Sequence, residues 1–202
     1  MRFSPILLSL ALAGCAVSSG DRATSFVAPQ IASGYIALEG RSYVVMEGRG
    51  AAFVIAPGIA VTNAHNADIV GGPVIGTSRN YDLLFFRVAT SLSPVSAEPR
   101  SGELVIAYGQ GAHGELRSAR GVVRDVNAPV EARCGTCLVQ SAFTFEGNAG
   151  PGFSGGPVVD ASSGNVVGIT FGYLDPNGRR LMYAYPISRV RQELATFVRP
   201  DG

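Results

Sequence analysis

Gly152-Phe153-Ser154-Gly155-Gly156-Pro157-Val158-Val159 sets a serine among glycines and then runs at once into a β-branched pair. The residues after the serine decide the fold class. The five residues from Gly152 to Gly156 match a Gly-x-Ser-x-Gly turn, which in a parallel α/β sheet delivers the chain into a long helix. Here Pro157 and two valines come next instead, and valine favours a pleated strand. The serine therefore belongs to a strand-to-strand turn, and an α/β arrangement is disfavoured.

Two segments further back supply what such a serine needs. They are Val61-Thr62-Asn63-Ala64-His65 and Asn80-Tyr81-Asp82-Leu83-Leu84. A serine hydroxyl is a poor nucleophile at neutral pH and requires a base within hydrogen-bond reach. His65 is the candidate, because it follows an apolar strand and has small neighbours. The other histidine, His113, lies in a glycine-rich turn and reads as a loop residue. Asp82 would accept the second imidazole N–H and fix the tautomer. The competing acid, Asp68, is expected on a short helical turn over 66–70, pointing to solvent. The backbone N–H groups of Gly152 and Ser154 are the candidate oxyanion donors, since flanking glycines allow the turn they require.

The rest of the chain is built for a core. Of 202 residues 47% are hydrophobic and 15% charged, which excludes a disordered chain and fits a single compact unit. All 16 basic residues are arginine, and the net charge of +1 gives no general attraction for nucleic acid or anionic lipid. With no lysine, a Ser-Lys dyad is excluded. Apolar runs at 43–46, 51–55, 59–62, 83–88, 104–108, 121–126, 138–145, 158–159, 166–171 and 182–185 are separated by many of the 26 glycines and 12 prolines. Short strands at this spacing predict an all-β sandwich or barrel. One helix is expected at the C-terminus, capped by Ser188, with Val190, Leu194, Phe197 and Val198 on one face.

Residues 1–14 read as a signal peptide: Arg2, then an apolar run from Ile6 to Leu12 too short to span a bilayer. Leu12-Ala13-Gly14-Cys15 resembles the bacterial lipobox, in which cleavage precedes a lipidated cysteine. The alternative is an ordinary signal peptide with a chance cysteine. The lipobox reading makes Cys15 a membrane anchor, and Ala16 after it implies transfer to the outer membrane, facing the periplasm. Residues 15–39 then form the lipidated cysteine and a flexible tether, leaving 40–202 as the folded domain. Cys134-Gly135-Thr136-Cys137 reads as a local disulfide in an oxidising compartment. A redox site or half of a zinc site is the alternative, without a second Cys-x-x-Cys to support it.

Taken together, the His65, Asp82 and Ser154 segments resemble the three catalytic blocks of trypsin-like serine proteases, in the bacterial branch related to the HtrA/Deg proteases without a PDZ domain. Ser101–Gly109 with Gly121-Val122-Val123, and Asn165–Ile169 with Tyr185-Pro186-Ile187-Ser188, are similar to non-catalytic strands of that group. The resemblance implies two antiparallel six-stranded β-barrels and a C-terminal helix, with the site between the barrels. It implies peptide-bond hydrolysis through an acyl-enzyme, a protein or peptide substrate, and no metal or cofactor. It places Asn148, Phe171 and Met182 at the primary substrate pocket, with apolar side chains favoured there. Two departures stand out. His65 and Asp82 are only 17 positions apart (82 − 65), which predicts an abbreviated first barrel. Phe153 stands where digestive trypsins place an aspartate that pairs with a new N-terminus, so activation by that ion pair is not expected. The rival reading from another class is a non-catalytic lipoprotein that uses the same cleft to bind a peptide or protein partner.

Overall fold

The structure, a computed structural model, describes residues 19–23, 27, 29–40, 49–111, 114–130, 140–175 and 179–198. In chain order its elements are β1 (Asp21–Arg22), α1 (Pro29–Gly34), β2 (Tyr35–Glu39), β3 (Arg49–Ala56), β4 (Ile59–Thr62), a 3-10 helix (Ala64–Ile69), β5 (Val74–Thr77), β6 (Leu84–Arg87), β7 (Leu104–Gln110), β8 (Leu116–Val130), β9 (Gln140–Glu146), β10 (Pro157–Asp160), β11 (Val166–Leu174), β12 (Leu181–Pro186) and α2 (Ile187–Ala195). All strand pairings between these elements are antiparallel.

The two halves differ. In the second, strands take the order β1-β8-β7-β10-β11-β12-β9, and β8 also pairs β9, which closes six strands into a barrel with β1 added outside. The first half is a five-stranded sheet, β2-β3-β4-β6-β5. The abbreviation expected from the short His65-to-Asp82 interval is real in this sense: a single four-residue strand, β5, lies between them. It pairs β6 at the sheet edge through a bulge.

Strand parity explains why the first-half strands read as unbroken apolar runs. Phe53, Val61 and Phe85 face a core shared with the second half, together with Ile169, Tyr185 and Val190. Their neighbours Ala52, Ala60, Leu84 and Phe86 form a separate cluster with Leu38 on the opposite face. A strand buried on both faces shows no polar alternation. The closed barrel has its own interior, containing Val105, Phe143, Phe145, Phe153, Val158 and Met182.

The expected tether is shorter than 15–39. Residues 29–39 are folded, as α1 and β2, and Ile31 is fully buried. Their small, mixed composition conceals this, because β2 gains its order from pairing along β3. The C-terminal helix is present with Ile187, Val190 and Leu194 buried. Ser188 does not cap it: the helix begins one residue earlier, after Pro186, and the Ser188 hydroxyl donates to Glu98 instead. No described helix is long and apolar enough to cross a membrane. Cys15, His113, Cys134 and Cys137 lie outside the described residues, as does the strand expected at 43–46.

Candidate active site

Three polar residues at the end of β4 and in the 3-10 turn that follows it are buried by the fold. Thr62 and Asn63 are fully buried and Asn66 is 5% exposed. Each is spent on a bond that shapes the 3-10 turn carrying His65. Thr62 donates its hydroxyl proton to the Ala51 carbonyl (2.7 Å), and Asn66 Nδ2 donates to Thr62 Oγ1 (3.0 Å). Asn63 Nδ2 reaches across to the Asp82 carbonyl at 2.8 Å.

Asp82 sits in the turn before β6. Ser78 organises that turn, its hydroxyl accepting from the N–H groups of Asn80 and Tyr81 and donating to Glu193. The Asp82 carboxylate then grips His65 twice. Oδ1 accepts the His65 backbone N–H at 3.0 Å, and Oδ2 lies 2.6 Å from Nδ1. An ionised carboxylate only accepts, so Nδ1 is the donor in this contact, and in the neutral ring that leaves the lone pair on Nε2. The imidazole is half-exposed, while the carboxylate is more enclosed. Asp68 is exposed, as expected. The short interval thus brings His65 and Asp82 together without an extra strand pair.

From the barrel side, the Asp82 N–H donates to Tyr185 Oη at 3.3 Å. Tyr185 is fully buried, stacked on Phe171 at 4.1 Å and edge-on to Tyr81 at 5.3 Å. Burial, reinforced by the nearby Asp82 charge, holds its phenol far above the usual range and outweighs the hydrogen bond from Asp82, so the hydroxyl stays protonated.

Ser154 occupies a double turn between β9 and β10. Phe153 N–H closes the first turn on the Gly150 carbonyl (3.1 Å), with Pro151 second and Gly152 third at φ +91°. Gly156 N–H closes the next on the Phe153 carbonyl (2.9 Å), with Ser154 second and Gly155 third at φ +84°. Both fit the type II pattern, whose third residue needs positive φ. Gly155 has no alternative on space either, since a Cβ there would lie 2.1 Å from the Ala51 oxygen. Neither Gly152 N–H nor Ser154 N–H has an acceptor among the described residues.

The serine turn is fastened to the first sheet. The Ser154 carbonyl accepts from Ala51 N–H (2.8 Å) and from Asn66 Nδ2 (3.2 Å), one residue past His65. Gln110, 1% exposed at the end of β7, donates its backbone N–H to the Gly152 carbonyl (2.9 Å) and its amide to Leu38 and Gly50 in the first sheet. Among the described residues no hydrogen bond joins Ser154 to His65, and catalytic contacts of this kind often form only with substrate present.

The expected pocket residues separate. Asn148 is exposed and lines a charged groove with Glu146, Asp175, Arg179 and Arg180. Phe171 is partly buried against Tyr185. Met182 is 1% exposed, paired with Phe145 in the barrel interior, so it has no surface to offer a substrate. Strand parity turns it inward. Asn63, Asn66, Gln110 and Tyr185 were not anticipated. Only the two asparagines bracketing His65 left a local signal, as polar residues at the end of an apolar run. No cluster of three His, Cys, Asp or Glu that could hold a metal occurs among the described residues.

A closed antiparallel barrel packed on a second antiparallel sheet, with a C-terminal helix, defines the class as a chymotrypsin-like protease fold. A sequence model of the trypsin-like peptidase domain matches residues 50–169, well over half of the chain, and the protein belongs to that family. A search of curated proteins finds no match. Among solved structures, the chain is similar to the inactive form of a mutant of Rv3671c from M. tuberculosis (22% identity, 86% of this chain and 93% of that one, TM-score 0.66). It is similar to a serine-to-alanine variant of the HtrA-type protease AlgW with a tripeptide (17% identity, TM-score 0.68), covering 84% of this chain and 62% of that one. The MamO protease domain from Magnetospirillum magneticum is a third (18% identity, 82% and 98% covered, TM-score 0.65). At these identities the likeness concerns the fold.

Proposed function

We propose that the protein is a serine endopeptidase of the bacterial envelope. Ser154 Oγ attacks the peptide carbonyl carbon as its proton passes to His65 Nε2, while Asp82 holds the imidazolium that forms. The carbonyl oxygen, now an oxyanion, accepts from the N–H groups of Gly152 and Ser154. Collapse of the adduct expels the amine, which takes the proton from His65 and leaves an acyl-enzyme for water to hydrolyse. The observation that carries this reading is the 2.6 Å contact between His65 Nδ1 and Asp82 Oδ2, made while Asn66 ties Ser154 to the same turn. The substrate is a protein or peptide, and the HtrA-type structure solved with a tripeptide supports that class.

Lipid on Cys15 would anchor the enzyme, on the outer membrane facing the periplasm, and Cys134 with Cys137 would form a disulfide. A fluorophosphonate probe tests the chemistry. Labelling of the wild type, lost in Ser154→Ala and His65→Ala, is the expected result. A folded wild type that stays unlabelled and cleaves no peptide library would instead leave a peptide-binding, non-catalytic protein. Membrane fractionation of Cys15→Ser tests the anchor: retention of this variant in the membrane would refute it.

A further inference from the structure

The double turn holding Ser154 lies in a ten-residue connection between β9 and β10, with no sheet ladder of its own. Much of its support comes from the other end of the chain. Ser19, 5% exposed, and Gly20 lie across it. Gly20 N–H donates to the Asn148 carbonyl at 2.7 Å. Arg180 Nη1 donates both to Ser19 Oγ (3.2 Å) and to the Ala149 carbonyl (3.0 Å), stapling the segment to the loop just before Gly150. Arg117 Nη2 donates to the Gly20 carbonyl at 2.9 Å, and β1 continues the attachment along β8.

The second contact is steric. Phe153, between the two candidate oxyanion donors, is fully buried, and its ring passes directly over Gly20. A Cβ on Gly20 would lie 2.7 Å from Phe153 Cζ and 2.8 Å from the Ser118 oxygen, and φ there is +70°. Only glycine fits beneath the ring at this backbone angle. The segment therefore touches the loop at two places, at Asn148–Ala149 just ahead of the double turn and at Phe153, which lies between the two N–H groups that must point at one oxygen.

We propose that Ser19-Gly20 is an N-terminal strap that holds the oxyanion turn in its working shape, with Gly20 and Arg180 as positioning residues. This rests on the serine-peptidase reading. The strap does with a neutral glycine seat and arginine hydrogen bonds what an N-terminal ion pair would do, and Phe153 is what that seat receives. Removing one oxyanion donor outright costs about 10²–10³ in rate, so a loosened turn should cost about 10- to 100-fold.

The test uses the full chain carrying Gly20→Val, Arg180→Ala and Arg180→Lys. A fluorogenic peptide gives kcat and KM. A peptide aldehyde, whose adduct places an oxyanion in the hole, and the corresponding product acid, which forms no adduct, give two affinities. The strap predicts that kcat and aldehyde affinity fall together in Gly20→Val and Arg180→Ala. KM and product affinity should stay within about threefold, with partial recovery in Arg180→Lys, which keeps a donor. Adding Phe153→Leu to Gly20→Val removes the ring atom nearest the new Cβ and should recover part of the loss. If Gly20→Val does not fold, Arg180→Ala decides alone. Wild-type kcat and aldehyde affinity in Arg180→Ala overturn the strap while the serine-peptidase reading stands. Equal loss of aldehyde and product affinity overturns it as well, as general damage. A wild type that is inert towards substrate and fluorophosphonate overturns both.

Discussion

Replacing Asn66 with alanine perturbs the join between His65 and Ser154 at its centre. The side chain gives one proton to Thr62 Oγ1 (3.0 Å) and the other to the Ser154 carbonyl (3.2 Å). A net hydrogen bond contributes about 0.5–1.5 kcal/mol, so two set a range of about 1–3 kcal/mol. Neither acceptor is orphaned: Ser154 keeps the Ala51 N–H, and Thr62 still donates to the Ala51 carbonyl. The cost should then fall near the lower end, about 1–2 kcal/mol, or about 2–8 °C in Tm for a chain of this size. Urea titration measures it, with the m-value unchanged. Activity should drop about tenfold, because the serine turn loses one of two ties to the first sheet. Thr62→Val breaks the same chain from the other side, removing an acceptor from Asn66. The double variant should therefore cost less than the sum of the singles. An Asn66→Ala protein with wild-type midpoint and kcat/KM, or strict additivity with Thr62→Val, would refute the reasoning.

Asp82→Asn should preserve the fold and lower kcat by about 10⁴, because an amide can donate to Nδ1 and stabilise the wrong tautomer; a loss under tenfold would show that Asp82 does not orient His65. Tyr185→Phe keeps the stack on Phe171 and removes only the acceptor for Asp82 N–H. Denaturant titration should show a loss of about 1 kcal/mol. The alkaline limb of the pH–rate profile should not move, since the phenol is raised and does not ionise in the working range. Asp160 anchors the β10–β11 turn. Burial pushes its carboxyl up, but bonds from the Ser163 hydroxyl and from the Ser162 N–H and hydroxyl outweigh this and hold it below the usual range. A depressed carboxyl stabilises the fold above its unfolded-chain value and ceases to do so as pH falls through the folded one. The stability gap between wild type and Asp160→Asn should thus be constant near neutrality and shrink below about pH 4; a gap that widened in acid would reverse the sign.

What the sequence made legible was local. His65, Asp82 and Ser154 each sit in a short run of small, polar or glycine residues beside an apolar strand, and that contrast is visible without a partner. The long-range members were not. Gln110 bonds carbonyls 72 and 60 positions away, and Tyr185 meets Asp82 across 103. Nothing around either residue marks it as more than a strand position. β2 and β5 were missed for another reason: one is small and mixed in composition, the other a four-residue edge strand with Gly76 inside it. Each is a strand because of its neighbour. The inward face of Met182 is hidden in the same way: an apolar residue in a strand carries no label for the face it occupies until the register, here against Phe145, is known.

The Ser154 carbonyl, held by donors from Ala51 and Asn66, has a consequence for biosynthesis. The candidate nucleophile is not owned by either half of the molecule. Its turn is encoded after residue 150, yet two of its ties come from residues laid down a hundred or so positions earlier. On the proposed function, a complete chain with one half folded and the other not would carry all three candidate groups and no reaction. For a peptidase that must fold among other unfolded chains, and among copies of itself, latency of this kind needs no propeptide: competence arrives only with the last closure of the fold.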